Sequence, residues 1–563
     1  MKLHLERSVA LALFERFPET QHWQEQLKLA GRVEVDPQSL SRDNLGFLAT
    51  TYEATNANKH ATVQALLNIK DQAPSAVENL EEFLVEVITY ITTNTTRGWL
   101  FLPDGGGSLL PYVVSRIDFT SASGEDQARI LIEIKANSRG KLANTQIIIT
   151  ERDLTPGGNP ATLLLEKGYV KETELLLQQY DLADELYREW RSASGEQFSG
   201  LGTGIYAEDP SSNTRNNDWT RKPRVILSTT GSPARLVNDE AILTNRELTL
   251  EQSKQILRPI LKKMDRTSPF HIATEKAILA LSEAMTSDAF SVIPMHGFIL
   301  LFHLELHHHL WVHVDNLKPY VYQPELKDKL VLPVEHVELI DILTAEMELL
   351  MEDIVEGKSG GTTVLCSGPP GVGKTLTAEV YAEIIHRPLY RVHSGQLGLN
   401  VAEMEANLKE VLIRAQRWGA VMLIDEADVY IKRRDDNLTM NAVVGVFLRV
   451  LEYFNGLLFM TTNRIDDIDE AIISRCIAMI RYQSPTREER ARIWEVMSQQ
   501  FGLPLAEGMH NTLADYFPKT SGRDIKGLAK LVARFCQYRS TAADLTIFEH
   551  CAKFRAIESV QMD

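Results

Sequence analysis

Cysteine is scarce in this chain: there are four in 563 residues, Cys366, Cys476, Cys536 and Cys551, at spacings too irregular for a disulfide framework or a zinc motif. This excludes a small stapled scaffold and predicts a reducing, cytoplasmic setting. Long apolar runs are missing as well. The most apolar stretch, Gly297 to Val314, is interrupted by Glu305 and five histidines and falls short of the roughly 20 residues a membrane helix needs. No membrane span is therefore expected. The short apolar stretch Ser8 to Phe14 is flanked by Glu6, Arg7 and Glu15, so it lacks the uninterrupted core of a signal peptide. Basic residues are outnumbered, 59 against 76 acidic, for a net charge of −17. That balance favours solubility and opposes bulk attraction to nucleic acid.

What is present is length and an ordinary globular composition, 44% apolar and 24% charged, enough for about three to four folding units. Residues 1–98 read as a helical unit, because Val9, Leu11, Leu13 and Phe14, and later Leu80, Phe83, Leu84, Val87 and Ile88, recur at helical spacing. Residues 99–332 read as a mixed α/β domain. Strands are expected at Pro111–Ile117, Ala128–Ile134 and Thr145–Ile149, and helices around Ala161–Glu189. The Gly/Ser/Asn/Asp-rich stretch 192–223 has the composition of a mobile linker. Helices near Leu250–Met264 and Ala273–Met285 and strands over Ser291–Val314 follow. Residues 333–484 open with a helix marked by Val337, Ile340, Leu343, Met347 and Leu350, then alternate strands with helices, the order of a parallel sheet covered by helices. Residues 485–563 read as a helical lid.

The strongest local signal is the strand Thr363–Ser367 followed by Gly368-Pro369-Pro370-Gly371-Val372-Gly373-Lys374-Thr375 and then a helix from Lys374 and Leu376 onward. This spacing matches a phosphate-binding loop. The glycines let backbone N–H groups turn toward phosphate oxygens, the helix points its positive end at them, Lys374 reaches the β- and γ-phosphates, and Thr375 binds Mg²⁺. A second apolar run, Val421–Ile424, ends in Asp425-Glu426. A buried strand ending in two carboxylates is common in α/β proteins. Its position after the loop assigns Asp425 to Mg²⁺ and Glu426 to the attacking water. A third apolar strand, Leu457–Met460, ends in Thr461-Thr462-Asn463-Arg464. Asn463 there is either a turn cap or a residue holding that water, and the motif order favours the second.

Taken together these motifs resemble the AAA+ ATPases, and more closely their AAA branch, over residues 335–555. Gly368–Thr375 is similar to Walker A, Val421–Glu426 to Walker B and Asn463 to sensor 1. The resemblance implies ATP and Mg²⁺ as ligands, an AAA+ P-loop core of α/β class with a small helical lid, and a homo-oligomeric, commonly hexameric ring. Ala471-Ile472-Ile473-Ser474-Arg475 is similar to the segment that carries the arginine finger, which places Arg475 across a subunit boundary; a surface salt bridge is the alternative. That branch usually has a second arginine three residues on, where this chain has Ala478. Ser521-Gly522-Arg523 resembles sensor 2, with an ordinary first-turn charge as the alternative for Arg523. Where protein-threading relatives carry a pore aromatic, this chain has Asn400 between Leu399 and Val401. Gln396-Leu397-Gly398, Arg417-Trp418, Asp425 to Val429 and Thr461 to Arg464 are similar to a little-characterised group of bacterial and fungal AAA ATPases with a large N-terminal domain.

Two weaker patterns stand beside these. His303, Glu305, His307, His309 and His313 would share one face of an unbroken strand and could then bind a transition metal, although a hairpin or a solvated face explains the pattern equally well. Lys432-Arg433-Arg434 reads as a solvated loop more readily than as a phosphate-backbone contact. The resulting expectation is an oligomeric ATPase that remodels a protein partner recognised by the N-terminal region. An ATP-gated switch on nucleic acid and an ATP-controlled scaffold are the alternatives, the former kept open by the similarity of Ser474-Arg475-Cys476 to clamp loaders.

Overall fold

Branched and aromatic residues alternating with polar ones build the first large sheet, in which half-buried strands pair antiparallel. The computed structural model describes residues 2–75, 77, 79–103, 107–122, 127–155, 157–208, 224–228, 231–243, 256–263, 269–285, 288–345, 361–398, 400–434, 438–464 and 467–560. The sheet runs in the order Lys141–Thr150, Arg129–Ser138, Leu109–Thr120, Trp99–Pro103, Val170–Lys171. Against it pack the helices Ala57–Lys70 and Leu80–Thr92, with Arg42–Glu53 laid on the former, and Ser41, Asn56 and Asn79 each accept a first-turn N–H of the helix that follows. Helices predominate in residues 2–92, and Leu3–Leu5 and Val33–Val35 pair as a small antiparallel ribbon. Leu11 is exposed while Val9, Leu13 and Phe14 are buried. One apolar core runs from Leu3 through Tyr180 and takes in Ile256 to Ile293.

A second antiparallel sheet has seven strands in the order Arg224–Ile226, Thr203–Tyr206, His308–His313, Phe298–His303, Ala234–Asn238, Gln197–Gly200, Leu317–Pro319. Two of them lie in the stretch whose composition suggests a linker, so for residues 197–206 that expectation is corrected; residues 209–223 lie outside the described residues. The glycines serve close packing here: a Cβ on Gly200 would sit 2.5 Å from Leu236 Cδ1. The histidine pattern is broken in the same sheet. Phe298–His303 and His308–His313 form a hairpin with His303 opposite His308, and among the described residues no three or more His, Cys, Asp or Glu side chains are grouped to hold a metal. His309 instead lies 2.8 Å from Asp239 and His313 3.1 Å from Asp315.

Beyond the helix Val334–Ala345, the expected marker residues Met347 and Leu350 lie outside the described residues. From Gly361 the chain forms a five-stranded parallel sheet in the order Leu389–His393, Val421–Asp425, Leu457–Thr462, Thr362–Ser367, Ala478–Arg481. Its three central strands are buried throughout, as expected where helices cover both faces. The helices Arg487–Gln500, Met509–Tyr516, Gly522–Arg539 and Leu545–Lys553 enclose a separate core around Trp494, Phe517 and Phe548. Among the described residues no helix is long and apolar enough to cross a membrane.

The seven-stranded sheet is fastened to the parallel sheet at two points. Asp239, fully buried, accepts from Arg417 Nε and Nη2, both at 2.7 Å, and from Trp418 Nε1 at 2.8 Å. Beside it, Phe302 packs its ring against Tyr390 and Trp418, with centroids 5.6 and 5.0 Å away. At the second point, Glu383 on the helix Lys374–Ile384 accepts from Tyr320 Oη at 2.7 Å and from the Gln323 N–H at 3.1 Å.

Candidate nucleotide site

Parallel strands all end on the same edge, so Ser367, Asp425 and Thr462 deliver the residues that follow them to one place. The loop 368–373 leaves the strand Thr362–Ser367 and enters the helix Lys374–Ile384. Two of its glycines are required by shape. Gly368 has φ +148 and a Cβ there would lie 2.4 Å from the Tyr482 carbonyl; Gly371 has φ +82 and its Cβ would lie 2.8 Å from Ser521 Oγ. The second contact brings the lid onto the loop, and the Arg523 N–H donates to the Gly371 carbonyl at 3.1 Å. Pro369, Pro370 and Val372 fill the loop between them, and Leu376 is exposed beyond it.

Lys374 folds back over the loop. Its ammonium donates to the carbonyls of Gly368 and Pro369, each at 2.7 Å, and to Asn463 Oδ1 at 3.0 Å. Burial pushes its pKa below the ordinary lysine value and the Arg523 charge adds to this, against the opposing pull of Asp428 and Asp425. A cation so held, next to loop amides, is poised to exchange carbonyl partners for phosphate oxygens.

Asp425 collects three donors. Thr375 Oγ1 reaches its Oδ1 at 3.0 Å, Thr461 Oγ1 reaches the same oxygen at 2.5 Å, and Arg391 Nη2 reaches Oδ2 at 2.5 Å. Burial alone would raise this carboxyl, but the Thr461 hydrogen bond and the Arg391 charge outweigh it and hold the group below the ordinary aspartate range. A hydroxyl and an ionised carboxylate side by side are a hard oxygen donor set, which fits Mg²⁺. Glu426, the next residue, is exposed and has φ +55, an uncommon backbone for a residue with a side chain. Thr461 explains how it is held there: its hydroxyl donates to Asp425 while accepting from the Glu426 N–H at 3.0 Å. One threonine thus holds both the Asp425 carboxylate and the Glu426 backbone.

Asn463 is exposed, bonded to Lys374 through its side chain and to Asp428 Oδ1 through its N–H at 3.2 Å. The structure therefore gathers Gly368–Thr375, Asp425, Glu426, Asn463 and the backbone of Arg523 into one place. Arg475 is elsewhere: it is exposed and pairs with Glu452 and the Ala471 carbonyl, neither of them part of the phosphate loop. Its short helix, Glu470–Ile473, is capped by Asp469, which Arg434 grips at 2.8 Å. That pair, with Arg433 to Glu470 at 3.7 Å, gives the basic cluster a structural partner. Asn400 caps the helix Val401–Trp418, its Oδ1 accepting from the Ala402 N–H at 3.1 Å; Leu399 lies outside the described residues.

Sequence reasoning missed Arg391, Thr461, Asp428 and Ser521 as parts of this site. The one available signal for Arg391 was an arginine between Tyr390 and Val392 in the strand Leu389–His393, which lies between the two phosphate-site motifs.

Residues 364–484 match the family described as "ATPase family associated with various cellular activities (AAA)". The chain thus carries an AAA ATPase domain over those residues. It is similar to a protein named 26S proteasome regulatory subunit 8 from Caenorhabditis elegans, 27% identical over 38% of this chain and 50% of that protein. It is also similar to an uncharacterized AAA domain-containing protein of Schizosaccharomyces pombe, 26% identical over 58% of this chain and 41% of that protein. A solved chain from an E. coli MS115-1 HORMA:CdnC:Trip13 complex aligns over 43% of this chain and 94% of that one, at 18% identity and a TM-score of 0.34. The chain spans about half the length of the curated relatives it matches.

Proposed function

We propose that this chain hydrolyses ATP as a subunit of a homo-oligomeric, hexameric ring and uses the turnover to remodel a protein partner taken up by the N-terminal region. The observation that carries the reading is the Thr375 hydroxyl 3.0 Å from the Asp425 carboxylate, with Lys374 held over the adjoining loop. In this reading the loop amides from Gly368 to Gly373 and the Lys374 ammonium bind the phosphates, and Thr375 and Asp425 hold Mg²⁺. When bound, that ion would supply neutralisation of phosphate charge. Glu426 accepts the proton of the attacking water, and Asn463 fixes the direction from which that water approaches. Arg475 serves a neighbouring subunit's site; its exposed position on a segment anchored by Arg434 and Asp469 supports this. Arg523 acts within its own subunit.

A protein partner is favoured over nucleic acid by the net charge of −17 and by relatives named as proteasome regulatory subunits. Four free cysteines support a reducing, cytoplasmic setting. The test is ATP turnover against protein concentration for wild type, Glu426→Gln and Arg475→Ala, alone and mixed. Both variants should be inactive alone and regain turnover when mixed; full activity of Arg475→Ala at every concentration overturns the shared site.

A further inference from the structure

Asp425 is not a bare carboxylate waiting for a metal. It is 5% exposed, and its Oδ2 is already taken by Arg391 Nη2 at 2.5 Å while Oδ1 faces Thr375. Arg391 comes from the edge strand Leu389–His393, next to the strand that ends in Asp425. Its other terminal nitrogen reaches Glu379 at 3.4 Å, and its Nε is buried without a hydrogen-bond partner. The guanidinium is therefore held through its ion pairs, with Asp425 as the near partner.

We infer that Arg391 is a resident cation on the metal-binding carboxylate, so that a divalent ion binds this site only together with nucleotide phosphates. The inference rests on the proposed assignment of Thr375 and Asp425 to the metal. With Arg391 in place most of the carboxylate's charge is offset, since Asp425 is the nearer of its two partners at 2.5 Å against 3.4 Å for Glu379, and an ion between Thr375 and Asp425 would have a guanidinium at its back. A like charge within roughly 5 Å in a partly buried site weakens a divalent ion by well over about tenfold. The phosphates of a bound nucleotide restore the negative charge that Arg391 cancels. Arg391 is in this sense a positioning residue, acting through Asp425: it delays the metal until the substrate is present.

The experiment is Mn²⁺ binding to the full chain without nucleotide, followed by electron paramagnetic resonance, for wild type, Arg391→Gln, Arg391→Lys and the double variant Arg391→Gln with Asp425→Asn. Arg391→Gln should bind Mn²⁺ at least about tenfold more tightly than wild type, Arg391→Lys should resemble wild type, and the double variant should lose the gain. A folded Arg391→Gln that binds Mn²⁺ no better than wild type overturns the inference; should glutamine prevent folding, Arg391→Met carries the same comparison. ATP binding in EDTA separates the two readings. If wild type binds no ATP while Arg391→Gln gains Mn²⁺, the proposed ATPase function fails and the resident-cation inference stands.

Discussion

Asp239 of the seven-stranded sheet and Arg417 at the end of the helix Val401–Trp418 meet as a bidentate pair, with both N···O distances 2.7 Å. The carboxylate has no exposure of its own, so its charge is tolerated only because Arg417, Trp418 and His309 surround it. The N-terminal sheet is thus fastened to the helix that packs beside the nucleotide-site strands.

Removing that carboxylate should be costly. Asp239→Ala leaves a half-buried guanidinium and a buried indole N–H without their acceptor, and a loss of about 3 kcal/mol in unfolding free energy is expected from denaturant titration. The pH dependence has a definite sign. Burial would raise the Asp239 pKa, but the bonds from His309, Arg417 and Trp418 hold it below its ordinary 3.8. Its contribution is therefore present above the unfolded value and lost as pH falls through the folded one. Asp239→Asn should flatten that acid limb of the stability curve, and an unchanged limb would refute the assignment.

Lys374 and Glu426 should separate binding from turnover. Lys374→Ala should abolish ATP binding measured by calorimetry. Glu426→Gln should keep it and lower turnover by about 10²–10⁴-fold, the usual weight of a positioned base.

The lid contact can be tested at Gly371. With φ +82 and Ser521 Oγ 2.8 Å from where a Cβ would stand, Gly371→Ala should strain the loop and push the lid away. A cost of roughly 1–3 kcal/mol is expected, together with weaker ATP binding. ATP affinity equal to wild type would show that the lid does not bear on the site.

Glu452 holds Arg475 within its own chain. Glu452→Gln should free the arginine for a neighbour and raise turnover at low protein concentration by up to about fivefold. An exposed pair of this kind contributes at most about 1 kcal/mol, so the melting temperature should barely move. Turnover that falls would mean that Glu452 orients the arginine productively.

The motif residues were legible because their chemistry is local. A strand, a glycine-bearing turn and a helix in succession already place Gly368 to Thr375, and a wholly apolar strand must end where Asp425 does. Asn463 followed by the same logic. Composition misled where packing decides: the glycines at 200 and 204 look like linker residues, yet they lie in strands, where Leu236 leaves no room for a side chain on Gly200 and Val312 and Leu227 crowd Gly204. The histidine run misled because alternation says nothing about where a strand turns; the chain reverses between His303 and His308, which are cross-strand partners.

By itself the sequence determined the AAA domain, its α/β order and the residues that follow each strand onto the C-terminal edge of the sheet, since periodicity and turn chemistry act over a few neighbours. Only the tertiary structure decided that Arg391 sits on Asp425, that Thr461 bonds the Asp425 carboxylate and the Glu426 N–H, and that Asp239 joins the N-terminal sheet to Arg417. Those pairings span 34, 36 and 178 positions, and charges or hydroxyls so far apart in the chain meet only through strand order and the packing of one sheet on another.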